Sequence, residues 1–149
     1  MSETYRLAVI VSHFNRAVTE NLLAGARTGC EEFEIPLTDD DVYSVPGAFE
    51  LPVVAREAAG CGRYDAVVCL GAVIRGETPH FDYVCDQAAS GILRVSLDTG
   101  VPVTFSVLTT DNIEQAMARA GGDVGNKGYE GVVGAVKTLD ELRRMRAGR

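Results

Sequence analysis

A chain of 149 residues with 46% hydrophobic side chains is long enough for one domain with its own core. Its 21 acids against 14 bases leave a formal charge of −7, and with no basic stripe to offset it this excludes a nucleic-acid surface. No apolar run approaches the roughly 20 residues that span a bilayer, and Met1–Arg6 lacks the charged-then-apolar order of a secretory leader, so a cytoplasmic protein away from membranes is expected.

Leu7-Ala-Val-Ile-Val11 is apolar without alternation, the pattern of a strand buried on both faces. Leu22, Leu23, Ala26, Cys30 and Phe33 follow at helical spacing, and a shorter strand, Asp41-Val-Tyr-Ser-Val45, precedes Pro46. Ala66-Val-Val-Cys-Leu70 repeats the buried-strand pattern; Phe81, Val84, Cys85, Ala88, Ile92 and Val95 make the next helical stripe. Val101 to Leu108 is the fourth strand. Asp111 with Glu114 predicts a capping box, and Ile113, Ala116, Met117 and Ala120 the inner face of the helix it starts.

Gly121 to Gly128 reads as a glycine-rich turn, and Tyr129, Val132, Val133, Val136, Leu139 and Leu142 as a final long helix. That helix ends in Arg143, Arg144, Arg146 and Arg149, where cations complement the carbonyl end of the dipole. Strand and helix alternate four times with one helix appended. This order predicts an α/β fold in one domain over residues 1–149: a four-stranded parallel sheet with helices on both faces. The four cysteines show no C-x-x-C and no histidine at ligand spacing, so packed free thiols are expected.

The strongest chemical signal is Gly71-Ala-Val-Ile-Arg-Gly-Glu-Thr-Pro-His80. Its G-x-x-x-x-G spacing matches a triphosphate loop but puts Glu77 in place of the lysine, and a carboxylate there repels a triphosphate. A loop is expected after the third strand, opening a helix near Pro79, whose backbone N–H groups can hold a small anion beside His80. The pairing points to acid–base chemistry on a small phosphorylated molecule.

Ligands of open parallel sheets sit at the carboxyl ends of the strands. There the chain places Ser12, His13, Phe14 and Asn15, then Pro46 to Glu50, then Gly71 to His80, then Phe105 to Thr110. Each has a plainer reading. Phe14 and Phe49 suit a core, Glu50 a first helical turn, His80 a helix start and His13 the surface; Arg119 suits a helix end and Lys127 a solvated turn. A flavodoxin-type FMN site needs glycine in Ser12–Arg16, and a phospho-acceptor receiver needs an aspartate where Cys69-Leu-Gly71 stands. Gly121 to Gly128 also echoes a triphosphate loop, but it follows a helix and has Gly128 at the metal-binding hydroxyl position.

Taken together, His13-Phe-Asn15, Val45-Pro-Gly-Ala-Phe-Glu50, the run from Gly71 to Val84, Val107-Leu-Thr-Thr110, Ile113-Glu-Gln-Ala116, Arg119-Ala-Gly121 and Gly125-Asn-Lys-Gly128 resemble the lumazine synthase family, from Leu7 to the last helix. The resemblance implies a flavodoxin-like three-layer fold. It also implies condensation of 5-amino-6-(D-ribitylamino)uracil with 3,4-dihydroxy-2-butanone 4-phosphate, losing phosphate and water, as the penultimate step of riboflavin biosynthesis, with no metal or organic cofactor. By the same resemblance, Phe14 stacks on the pyrimidine ring and Asn15 is a further substrate-binding residue. Ala48, Phe49 and Glu50 with Ala72, Val73 and Ile74 bind uracil and ribityl groups largely through backbone. Glu77 and Thr78 offer N–H groups to the phosphate, Arg119 offers its guanidinium, and His80 shuttles protons. Phe105, Arg119 and Lys127 are implied to come from a neighbouring subunit, so a homo-pentamer is the implied functional unit, with a decamer or an icosahedral 60-mer as larger assemblies. A non-catalytic flavin- or lumazine-binding relative is the competing class, and the joint presence of His80, Arg119 and Lys127 favours the enzyme. Six residues precede the first strand where many members carry a longer arm; Gly122-Asp-Val124 and Ser106 also depart from the family's usual residues. These departures bear on assembly rather than chemistry.

Overall fold

The computed structural model describes residues 4–148. Met1 to Glu3 and Arg149, which entered the leader and helix-end readings, lie outside the described residues. The main elements are β1 (Leu7–Ser12), α1 (Arg16–Glu32), β2 (Val42–Val45), α2 (Leu51–Gly60), β3 (Ala66–Ile74), α3 (His80–Thr99), β4 (Val103–Thr110), α4 (Ile113–Ala118), β5 (Ala120–Gly122), β6 (Gly125–Asn126) and α5 (Lys127–Ala147). β1 to β4 form the expected parallel sheet in the order β2-β1-β3-β4.

The uninterrupted apolar runs are explained by two cores. Leu7, Val9, Val68, Leu70 and Leu108 face α1 and α5, meeting Val18, Leu22, Ala26, Val132 and Val136. Ala8, Ile10, Val67, Cys69 and Val107 face α2 and α3, meeting Leu51, Ala55, Ala88 and Ile92. A central strand in such a three-layer molecule must therefore be apolar at every position. Burying each leucine or isoleucine contributes about 1.5–3 kcal/mol.

The crossing of α1 and α5 needs glycine on both sides. A Cβ on Gly128 would lie 2.0 Å from the Leu22 carbonyl oxygen, and one on Gly29 would press on Val132. At the start of β2 sits a polar knot. The Asp41 carboxylate, 4% exposed, accepts from the Thr38 N–H (3.2 Å), the Tyr64 hydroxyl (3.0 Å) and the Arg6 guanidinium (3.1 Å), and the Tyr43 hydroxyl meets that of Tyr64 at 2.7 Å. Burial pushes the Asp41 carboxyl up, but Thr38, Tyr64 and Arg6 together outweigh it and hold the group below the usual carboxylate range.

Several local expectations change. Gly71 to Ile74 is not loop but the end of β3, paired with Val107 to Thr110 of β4. A Cβ on Gly71 would press on Ser12, Leu51 and Val107, so this glycine serves close sheet packing rather than a phosphate cradle. The real turn is residues 75–79.

Helix α4 is capped by Asn112, whose side chain accepts from the Gln115 N–H at 2.8 Å, because the Asp111 carboxylate is drawn instead to Arg75 at 2.9 Å. It spans six residues and ends at Ala118, and Gly121 (φ 97°) follows at the register shift of β5; Ala116 and Ala120 are buried while Ile113 and Met117 stay exposed. Gly121 to Asn126 is thus the antiparallel β5–β6 hairpin, and Lys127 opens α5 instead of sitting in a turn. Phe33 lies just beyond the last turn of α1 and is exposed. Arg143 stacks over the Tyr5 ring, so only part of the basic C-terminal group is left to the helix end. Among the described residues no helix is long and apolar enough to cross a membrane.

Candidate active site

The sheet is stepped at its carboxyl edge. Pairing of β1 with β3 ends at Val11 and Leu70, whereas β3 and β4 run on together to Ile74 and Thr110. Beyond the end of β1, the flank of Ala72 to Ile74 has no strand beside it among the described residues, and its backbone groups need other partners. Asn15 takes one of them: its side-chain N–H₂ donates to the Ala72 carbonyl at 2.9 Å. Asn15 can do so because it turns the chain in the left-handed region (φ 61°), where asparagine is tolerated. Its carbonyl receives the first N–H groups of α1.

A cavity of about 510 Å³ occupies this step, lined by Phe14, Ala48, Phe49, Glu50, Ala72, Val73, Ile74, Thr78 and His80, with Gly47, Gly76, Phe81, Tyr83 and Val84. Phe14 and Phe49 are 71% and 57% exposed, so the core reading of both rings fails. The backbone sets Phe14 in place: the N–H groups of His13 and Phe14 donate to the carbonyls of Val45 and Pro46, at 2.8 and 3.0 Å. The Glu50 carboxylate accepts the Gly47 N–H at 2.9 Å, so that side chain tightens its own turn ahead of α2.

Residues 75–79 bring the chain over the cavity to the start of α3, and His80 is the first residue of that helix, its N–H 3.4 Å from the Thr78 hydroxyl. His80 nonetheless lines the cavity. Glu77 does not, which leaves Gly76 and Thr78 as the turn residues that do. His13 is exposed and outside the lining.

Arg119 and Lys127 are elsewhere. They line a second space of about 270 Å³ with Val107 to Thr110, Val124 and Glu130, and among the described residues none lines both spaces. Arg119 uses one guanidinium N–H on the Gln115 carbonyl (3.0 Å), and Lys127 lies 3.9 Å from Glu130. The hydroxyl of buried Ser106 donates to the Lys127 carbonyl at 2.8 Å and ties the start of α5 to β4. Phe105 pairs with Cys69 in the middle of the sheet, well short of the carboxyl edge, and lines neither space.

Reading along the sequence missed Tyr83, 68% exposed and one helical turn after His80; that spacing alone could have found it. Burial pushes the Cys69 thiol up to about 12 and the Cys30 thiol up to about 11, so both stay neutral and serve as packing groups. Among the described residues, no group of three or more His, Cys, Asp or Glu side chains is placed to hold a metal ion.

The family model described as 6,7-dimethyl-8-ribityllumazine synthase matches residues 4–143. A 6,7-dimethyl-8-ribityllumazine synthase of Protochlamydia amoebophila (strain UWE25) is 50% identical over 135 residues, covering 91% of this chain and 78% of the relative.

Proposed function

The chain belongs to the 6,7-dimethyl-8-ribityllumazine synthase family, and on that premise we propose that it condenses 5-amino-6-(D-ribitylamino)uracil with 3,4-dihydroxy-2-butanone 4-phosphate, releasing phosphate and water. The observation that carries the proposal is the single cavity in which an exposed aromatic ring, an unpaired strand flank and an imidazole meet. The Phe14 ring suits stacking on a pyrimidine. The Ala72 to Ile74 backbone suits the hydrogen-bonding edge of a uracil, and Glu50 contributes through its main chain because its carboxylate is already engaged.

Imine formation and phosphate loss lean on orientation of the two reactants, with His80 moving protons between them. The phosphate is received by backbone N–H groups of the Gly76–Thr78 turn and by Arg119 of an adjacent subunit, whose Lys127 is a catalytic residue. A lone arginine fork suits a monophosphate. Sharing of the site is supported by the separation of the two spaces within one chain and by the apolar outer face of α2 and α3, where Val53, Leu93 and Leu97 are exposed. A head-to-tail contact whose rotation closes forms a ring, and a pentameric ring is the proposed unit in this penultimate step of riboflavin biosynthesis. Mixing the protein with both substrates should produce lumazine fluorescence and free phosphate in equal amounts. Absence of both products from folded protein would overturn the proposal.

A further inference from the structure

Arg75, the first residue of the turn, is exposed and lies outside the cavity lining. Its Nε donates to Asp111 at 2.9 Å and its Nη1 to Asp82 at 3.4 Å, while the guanidinium lies 4.4 Å from the centre of the Phe81 ring. Its backbone N–H donates to the Thr110 carbonyl at 2.8 Å. These partners flank residues 76–80 on both sides: Thr110 ends β4 and Asp111 follows it, while Phe81 and Asp82 belong to the first turn of α3. Phe81 itself lines the cavity beside His80. One side chain thus fastens the beginning and the end of the turn.

We infer that Arg75 is a positioning residue, which never touches substrate but sets the backbone N–H groups of Gly76–Thr78 and the ring of His80 for the phosphate-bearing reactant. The inference rests on the reading that this turn receives the phosphate. An exposed ion pair alone contributes little, but a planar fork held by two acids and an aromatic face restricts the turn in a way that a point charge cannot. The electrostatic role is indirect, since Asp82 and Asp111 already neutralise the guanidinium and leave the anion to the backbone.

The test is steady-state turnover with each substrate varied in turn, together with inhibition by inorganic phosphate, for wild type, Arg75→Ala, Arg75→Lys and the double variant Asp82→Asn/Asp111→Asn. In Arg75→Ala the KM for the phosphorylated substrate and the phosphate inhibition constant should rise about tenfold, the equivalent of about 1.4 kcal/mol. The KM for the pyrimidine and the thermal unfolding midpoint should stay near the wild-type values. The double variant should behave likewise, and Arg75→Lys should recover only part of the loss. A parallel rise of both KM values, or an unchanged phosphate inhibition constant in Arg75→Ala, overturns the positioning role while leaving the proposed reaction intact. A wild-type enzyme that turns over yet shows no competition between inorganic phosphate and the phosphorylated substrate overturns the anion-turn reading, and this inference with it.

Discussion

Among the described residues Arg119 engages one of its five donors, on the Gln115 carbonyl, and keeps the others for the smaller space. Removing a desolvated charged contact of that kind costs about 2–5 kcal/mol. Arg119→Ala should therefore cut turnover at low phosphorylated-substrate concentration by a factor of about thirty to several thousand, with pyrimidine binding retained in a fluorescence titration. Near-normal turnover would remove Arg119 from the phosphate contact. His80 plays a different part. General acid–base help is worth about 100- to 10,000-fold, and a reaction that leans on orientation should sit at the lower end. His80→Ala should fold, bind both substrates and slow single-turnover product formation by about 100-fold. An unchanged rate would leave His80 only its helix-start role.

Element by element, the knot that fastens the start of β2 makes the clearest physical statement. Asp41 has its folded-state carboxyl below the ordinary range, so its stabilisation is fully present above the unfolded value of about 3.9 and is lost as pH falls through the folded value. Asp41→Asn should cost about 1.5–3 kcal/mol at pH 7, the range for hydrogen bonds to a charged group. The gap between variant and wild type in urea unfolding should close as the pH is taken well below 4. A gap of constant size down to pH 3 would assign the loss to shape rather than charge. None of this knot is visible along the chain, because Arg6, Asp41 and Tyr64 are far apart in sequence. The four parallel strands were legible for the opposite reason: burial on both faces writes itself as an unbroken apolar run. Gly71 to Ile74 was misread because a glycine that admits a neighbouring side chain looks, in sequence, like a glycine that admits a phosphate. Phe14, Ala72 to Ile74, Thr78 and His80 could be placed in one cavity from strand ends alone, whereas Arg75 could not, since its chief partner is Asp111, 36 positions away.

For the whole molecule, the proposed sharing of the site between subunits predicts that no isolated chain completes the proposed chemistry. Phe14→Ala and Arg119→Ala subunits, each impaired alone, should regain part of the activity when mixed and allowed to exchange, because some rings will join an intact cavity to an intact Arg119. Analytical ultracentrifugation of the active species should give a pentamer or a multiple of it. An active monomer, with no rescue in the mixture, would break the shared-site model. The stepped sheet edge then has a thermodynamic corollary. A substrate seated on the free flank of β3 in one chain and held by a cation of the next is a cross-link that exists only in the assembled state. By linkage, whatever binds the ring and not its parts shifts the association equilibrium by mass action. Dilution should therefore weaken substrate affinity, and saturating substrate should hold rings together at concentrations where the empty protein falls apart.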